Sequence, residues 1–566
     1  MANREFNPEY EFAGKLIPQL VEESARRDPE RPALMVHCGG GKVDRISYAQ
    51  LWDKVVRLSS FIQKAGINPG EHIALLGTNS PEWAITYLAI QSAGCVVVPL
   101  DSAQRPQELR HILRHSDSVA IFLAKKFEDV LTEDGEDAFP EMSKFFLENI
   151  DTLIKTETKP LPVRFPESDD ATAVIIYTSE TTGLPKGVVL SHKNIVSDIE
   201  GMVHRFPFTA RDNFLSVLPV HHAFEATAGF LTPLAMGCGI GYARALRAKE
   251  ILEDIGEYDA TIMLGVPLLF EKFHRGILKG VEQKGRMAKT VFSSLMGFTK
   301  LIDSALKIRS GAKIFKKFRQ KAGFGNMWLM ISGGAAINPE TVKFFNHFGI
   351  VFCQGYGLTE TAPVLTVNPP DRNKPESVGP PIGGAEIKID SPNSEGVGEI
   401  LARGPMVFKG YYKNPEATEK AFTPDGWFRT GDLGKLDEDG YLYIVGRAKN
   451  LIVTAGGKNV YPEEIEEKLN DSPYILESLV IGVKKKGAEE PFAIIVPDFD
   501  AIDRKFGVGW DEEKISEIIK AEVEKVNSQI APYKRIKGFK IQAEEFPKTS
   551  TRKIKRYLYT GKEVEL

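Results

Sequence analysis

The sequence predicts an α/β protein with a large N-terminal body of two α/β subdomains, whose sheets are rich in parallel strands and which carries a small β-barrel. A smaller α+β lid follows at the C-terminus. Three observations lead to this reading. Short β-branched runs alternate with helical patterns over roughly the first 360 residues. After Pro375 the apolar runs become short and alternating, with turns such as Asp439-Gly440. From about Lys449 a separate strand and helix unit begins, so the domains are set at 1–448 and 449–566.

The predicted strands of the body are Ile73–Leu76, Val96–Leu100, Val119–Ala124, Ala173–Tyr177, Phe214–Leu218, Thr261–Leu264, Trp328–Ile331 and Ile350–Phe352. Helical patterns over Ser47–Gly66 and Arg105–Ser116 separate them. Such alternation implies parallel sheets, whose ligands sit beyond the carboxyl ends of the strands. Glu386–Ile389, Glu399–Leu401 and Tyr441–Ile444 read as strands of the barrel. In the lid, helices are expected over Pro462–Leu469 and Asp511–Ile530, with strands near Leu479–Val483 and Phe492–Val496.

The 566 residues are 42% hydrophobic, enough for a sizeable core, which excludes a disordered tail protein and a small stapled scaffold. With 72 Lys and Arg against 76 Asp and Glu, the chain as a whole is no nucleic-acid polyelectrolyte. Cys38, Cys95, Cys238 and Cys353 are far apart, which argues against a zinc ribbon or disulfide framework and for a reducing compartment. The longest apolar run, Ala84–Leu100, is broken by Gln91, Gly94 and Pro99 and reads as a buried helix followed by a strand. The expected location is cytoplasmic. Between Glu271 and Asn326, however, 14 Lys or Arg face three acids, interleaved with Phe292, Leu295, Met296, Phe298, Leu301 and Ile302. That segment is either a solvated helical excursion or a surface for peripheral attachment to anionic lipid at the inner membrane face.

The densest chemical signal follows the strand Ala173–Tyr177. It reads Thr178-Ser-Glu-Thr-Thr-Gly-Leu-Pro-Lys-Gly187. Hydroxyls and freed backbone N–H groups can donate to phosphate oxygens, and Lys186 supplies a positive charge. The spacing is not that of a Walker A loop. Composition alone would equally suit an ordinary Ser/Thr-rich turn.

Together with Gly355-Tyr-Gly-Leu-Thr-Glu360, Thr430-Gly-Asp432, Gly446-Arg447-Ala-Lys449 and Pro547-Lys-Thr-Ser-Thr-Arg-Lys553, this segment resembles the ordered motifs of the adenylate-forming superfamily. The match spans nearly the whole chain and is nearest to the long-chain fatty acid–CoA ligase branch of its AMP-forming acyl-CoA synthetases. The resemblance implies that a carboxylate attacks the α-phosphorus of ATP, giving an acyl-adenylate, and that CoA then displaces AMP. It implies that Thr178, Ser179, Thr181, Thr182, Gly183 and Lys186 hold the β- and γ-phosphates. Tyr356 would stack on the adenine, with Gly357 also in the ATP/AMP site, while Thr359 would contact the α-phosphate and Glu360 a Mg²⁺ ion. Gly333 and Gly334 would form a wall between the acyl and adenine sites, and His221, His222 and Phe224 would line the acyl pocket. Asp432 would hold the ribose from a loop, and Arg447 would contact the ribose or the phosphates. Lys553 would be the adenylation lysine and Lys449 the hinge about which the lid is mobile. Gly456, Gly457 and Lys458 would line the CoA tunnel.

The sequence departs from the family at two positions. Glu180 stands where relatives have glycine in the phosphate loop, and Arg552 replaces glycine before Lys553. Either the Glu180 carboxylate points to solvent or ATP binding is impaired, since like charges about 4 Å apart repel by about 4 kcal/mol at an effective dielectric near 20. The expected substrates are a medium- to long-chain fatty acid, ATP and CoA, with no nucleic acid. The alternatives are an acyl-carrier-protein ligase, a synthetase for another carboxylic acid, and a binder impaired by Glu180. The histidine pair reads as a packing element more readily than as a base, because the attacking carboxylate is already ionised.

Overall fold

The β-branched run Val96–Leu100 is buried along its whole length at the middle of a seven-stranded sheet, as a run without alternation requires when both faces are covered. The computed structural model describes residues 10–39, 41–178, 185–306, 309–454, 456, 458–485, 488–509, 511–548 and 554–559. Across this sheet the order is Gly410–Tyr411, Lys186–Ser191, Thr172–Thr178, Val96–Leu100, His72–Leu76, Ser118–Leu123 and Ser143–Phe146. The five strands from Thr172–Thr178 onward are parallel, whereas Lys186–Ser191 runs antiparallel to both its neighbours.

A second sheet has eight strands, with Gly239–Tyr242, Asn213–Ser216, Ile262–Gly265, Leu329–Ser332 and Val351–Tyr356 mutually parallel at its centre. Pro32–His37 extends it in parallel, and the edges Val43–Ser47 and Thr366–Val367 are antiparallel. The helix Tyr48–Lys64 starts where Ser47 Oγ accepts from Gln50 N and the Gln50 side chain accepts from Ser47 N, a reciprocal cap that satisfies two orphan donors. Pro81–Ser92 is buried at every position except Glu82 in its first turn, consistent with a helix whose apolar residues are not confined to one stripe.

Chain contacts divide the molecule into two units, one from residues 1–180, 184–386 and 402–428, the other including 387–401 and 429–566. The two sheets above belong to the first. In the second, the strands expected in a small barrel make a four-stranded sheet in the order Glu386–Asp390, Gly398–Arg403, Phe428–Leu436, Leu442–Arg447. Beside it, Ile475–Lys485, Ala488–Pro497 and Gly538–Ile541 form a three-stranded sheet. The helices Pro462–Asn470 and Glu512–Gln529 share its core through Ile465, Leu469, Ile495 and Ile519.

The basic segment of the first unit folds as helices Pro267–Glu282, Arg286–Leu306, Gly311–Ile314 and Lys316–Lys321. Phe292 anchors the second of them inside a cluster with Phe315, Phe318, Phe344 and Phe348. The opposite stripe stays outside, with Met287 83%, Val291 50%, Phe298 54% and Leu301 68% exposed. Among the described residues no helix is long and apolar enough to cross a membrane.

One buried acid stands out near the carboxyl ends of the strands. Glu225 lies in the π-helical turn Phe224–Leu231, and its Oε1 accepts from Ser216 Oγ at 2.5 Å. A Cβ on Gly229 would lie 2.6 Å from this carboxyl group, so glycine is needed one turn along for Glu225 to fold back. Burial raises the Glu225 carboxyl to about 8, against an ordinary value of 4.5, and the Ser216 bond only partly offsets it. The folded state therefore keeps a proton that the unfolded chain loses. This contribution to stability is complete below about pH 4.5 and falls by up to about 1.4 kcal/mol per pH unit until about pH 8. Glu225→Gln should remove that slope. Urea unfolding of both proteins at about pH 5 and about pH 8 should show the glutamine form gaining relative stability at the higher pH; parallel losses in the two would refute it.

Candidate active site

Thr178 and Lys186 end and begin two adjacent strands and face each other in register, with Thr178 Oγ1 3.5 Å from the Lys186 carbonyl that it donates to. The two residues thus mark the ends of the predicted phosphate loop. Ser179, Glu180, Thr181, Thr182 and Gly183 lie outside the described residues. Lys186 Nζ sits 5.0 Å from the centre of the Tyr411 ring, a cation–π distance. The Tyr411 hydroxyl in turn donates to Glu360 Oε1 at 2.9 Å. Phosphate-loop lysine and proposed metal carboxylate are therefore linked through one aromatic side chain. Tyr411 was missed in the sequence. It sits at the edge strand Gly410–Tyr411, whose two-residue length gives no strand signal, although the aromatic pair Tyr411-Tyr412 after glycine was there to be noticed.

Tyr356 ends the strand Val351–Tyr356, with Thr359, Glu360 and Thr361 in a 3₁₀ turn just beyond. The chain doubles back so tightly that a Cβ on Gly357 would be 1.8 Å from the Pro363 carbonyl oxygen, so no other residue fits there. Leu365 N donates to the Tyr356 carbonyl, and Val364 N to Asp198 Oδ1 at 3.1 Å. Burial holds the Asp198 carboxyl well above the usual range, so it supports this turn in its neutral form. Glu360 is also fixed through its own carbonyl, which accepts from Phe408 N. A half-buried carboxylate with one oxygen held by a phenol is a hard oxygen donor of the kind Mg²⁺ prefers, and so Glu360 fits that ion.

Gly333 and Gly334 follow the strand Leu329–Ser332, and a Cβ on Gly333 would be 3.0 Å from the Phe224 ring. The expected wall and the expected acyl-pocket aromatic are thus in contact. Gly334 has φ +85°, a left-handed conformation natural to glycine. His221 is buried with Nε2 3.2 Å from Asp101 Oδ1, and His222 is half-buried beside it, the two rings 4.2 Å apart.

In the second unit Asp432 lies within the strand Phe428–Leu436 and not in a loop, because the burial alternation runs through it from Phe428 to Gly434 and Asp432–Leu436 pair with Leu442–Arg447. Its carboxylate is buried and meets Arg447 Nε at 2.9 Å, across the register pair Asp432–Arg447. This bond aims the carboxylate and leaves Arg447 partly exposed. Lys449 is in the 3₁₀ turn Ala448–Asn450 directly after that strand. Gly456 and Lys458 belong to the exposed connection between Ile452–Val453 and Asn459–Val460, and Gly457 lies outside the described residues. Lys553 also lies outside them. Its flanks, Lys548 and Ile554, are joined by an antiparallel bridge, and Lys548 is ion-paired to Glu477 and Glu545.

Comparison with known proteins places this arrangement. A family model described as AMP-binding enzyme matches residues 21–412, and one for the AMP-binding enzyme C-terminal domain matches 464–553. The long-chain-fatty-acid–CoA ligase FadD15 of Mycobacterium bovis is 28% identical, over 96% of this chain and 95% of its own. The chloroplastic long-chain-fatty-acid–[acyl-carrier-protein] ligase AEE15 of Arabidopsis thaliana is 29% identical, over 87% of this chain and 77% of its own. The crystal structure of ATP-bound MatB from Rhodopseudomonas palustris is similar with a TM-score of 0.76 at 26% identity, over 96% of this chain and 98% of that one. With more than half of its residues matched by the first model alone, the chain belongs to the AMP-binding enzyme family.

Proposed function

We propose that this enzyme activates a medium- to long-chain fatty acid with ATP and passes the acyl group to CoA, releasing pyrophosphate and AMP. The observation that carries the reading is the end-to-end likeness to a long-chain-fatty-acid–CoA ligase, with Lys186, Tyr411 and Glu360 held in one connected set. In the first half-reaction a carboxylate oxygen forms a bond to the α-phosphorus as the α–β P–O bond breaks, and pyrophosphate leaves with that electron pair. Thr178 and Lys186, with the loop between them, bind the departing phosphates; Tyr356 offers a flat face to adenine, and Thr359 a hydroxyl to the α-phosphate. Asp432, oriented by Arg447, accepts from the ribose hydroxyls. Glu360 would hold Mg²⁺, which when bound neutralises phosphate charge. In the second half-reaction the CoA sulfur attacks the acyl carbon and AMP leaves. Residues 449–566 act as the lid, turning at Lys449, with Gly456, Gly457 and Lys458 beside the incoming pantetheine.

An acid panel scored by pyrophosphate release tests this directly. Turnover should rise with chain length to about twelve carbons or beyond, and peak turnover with acetate or an aromatic acid would overturn the substrate assignment. The likeness to an acyl-carrier-protein ligase supports a second reading. A holo-carrier protein replacing CoA with higher kcat/KM would favour it. Glu180→Gly in the same assay should leave pyrophosphate release nearly unchanged; a large gain would mean that Glu180 impairs ATP use.

Lys553 is assigned to bridging the carboxylate and the α-phosphate. Lys553→Ala should slow adenylate formation by about 10²- to 10³-fold, the effect of losing one preorganised donor, and spare thioester formation from supplied acyl-adenylate. Equal losses in both half-reactions would make the lysine structural.

The outward stripe Met287, Val291, Phe298 and Leu301, flanked by Arg286, Lys289 and Lys300, is assigned to an anionic membrane surface from which the fatty acid is collected. The protein should sediment with vesicles containing anionic phospholipid and be released by salt, and Phe298→Glu with Leu301→Glu should abolish this. Equal binding to neutral vesicles, or no effect of the pair, would refute the assignment.

A further inference from the structure

Two sheets of the first unit bring the carboxyl ends of their strands to one place. Asp101 is the first residue after Val96–Leu100 in the seven-stranded sheet. His221 and His222 follow Asn213–Ser216 of the eight-stranded sheet by a short loop. That loop is pinned by Asn79, whose Nδ2 donates to the Leu218 carbonyl at 2.6 Å and to Ser216 Oγ at 2.9 Å, while its Oδ1 accepts from Val220 N at 3.0 Å. The Asp101 carboxylate is itself oriented, with Oδ1 accepting from Ala103 N at 2.8 Å.

We propose that Asp101, His221 and His222 form a site for a divalent transition metal of the zinc type. One ligand atom from each residue lies within 4.8 Å of the others. Ligands on a tetrahedral zinc ion stand about 3.3 Å apart, so closure needs only small side-chain adjustments. The second observation is His221 Nε2. It is buried and lies 3.2 Å from the Asp101 oxygen without completing a hydrogen bond. A metal bound beside that oxygen would give the imidazole nitrogen a partner for its lone pair. Two imidazoles and one carboxylate suit zinc better than Mg²⁺, which prefers an all-oxygen shell. His221 lies at the buried back of the trio, while Asp101 and His222 are half-buried, which leaves a fourth position for water or a ligand carboxylate.

The test reads the metal and not turnover, so it is independent of the ligase reading. Full-length protein stripped by a chelator is titrated with Co²⁺ and then with Zn²⁺ against a chromophoric chelator. One equivalent should bind with micromolar affinity or tighter, and Co²⁺ should give the intense visible bands of a four-coordinate site. His222→Gln and Asp101→Asn should each weaken Zn²⁺ by at least roughly tenfold. X-ray absorption of the unmodified zinc form should show two imidazoles and no sulfur, which separates this site from capture by the exposed Cys38 and needs no variant to fold. Absent Co²⁺ bands, unchanged Zn²⁺ affinity in both folded variants, or sulfur in the zinc shell would overturn the proposal.

Discussion

The reversed strand Lys186–Ser191, set between Thr172–Thr178 and Gly410–Tyr411, is the constraint on which the first unit's chemistry depends. In a run of parallel strands each chain leaves the sheet at its carboxyl end and returns at the other. Reversing one strand makes the chain re-enter where it left, so Lys186 is brought back opposite Thr178. The same pairing holds Gly410–Tyr411 along the other side, which puts the Tyr411 ring against Lys186 and its hydroxyl on Glu360. A slip of one residue would turn Lys186 to the opposite face of the sheet. The core beneath excludes that slip, because Val188 and Leu190 are buried and would exchange faces with their neighbours.

Much of this was legible from the chain. Every strand expected in the body is present, as are the helices expected over 47–66 and 105–116, because buried strands and amphipathic helices carry their period in the sequence. The motif residues Tyr356, Thr359 and Glu360 are adjacent in the chain and stay adjacent in space. What the sequence hid was long-range. Asp432 looks like a loop residue beside glycine, but its partner Arg447 arrives across a strand pair. Tyr411 lies on a strand too short to show a period, and Asp101 is separated from His221 by more than a hundred residues. Only the meeting of two sheets brings Asp101 and His221 together. The basic segment read two ways, and both faces exist. Phe292 is packed inward on the same helix that turns Phe298 and Leu301 outward.

Two of the buried groups beside the candidate site are acids kept from ionising by their surroundings. Asp198 supports the turn beyond Tyr356, and Glu225 ties the turn after the histidine pair to Ser216. In both, burial raises the carboxyl far above its usual range. A protonated carboxyl can donate as well as accept, so it behaves in a core much as an amide does and adds no charge to its surroundings. Glu466 of the second unit is different. Burial raises it to about 7, but Arg556 opposes the shift, and its carboxylate also accepts from Val480 N.

The C-terminal segment from Lys548 to Arg556 looks on paper like a continuous cationic band. In the fold, Lys548 faces Glu477 and Glu545, while Arg556 faces Glu463 and Glu466. Four carboxylates thus quench the two ends of that band, and they do so within a single unit. An approaching polyanion would meet a weaker potential at Lys548 and Arg556 than the letter count implies. At those two positions the cations serve to fasten the segment to its own unit before they can serve as a diffuse attraction to phosphate.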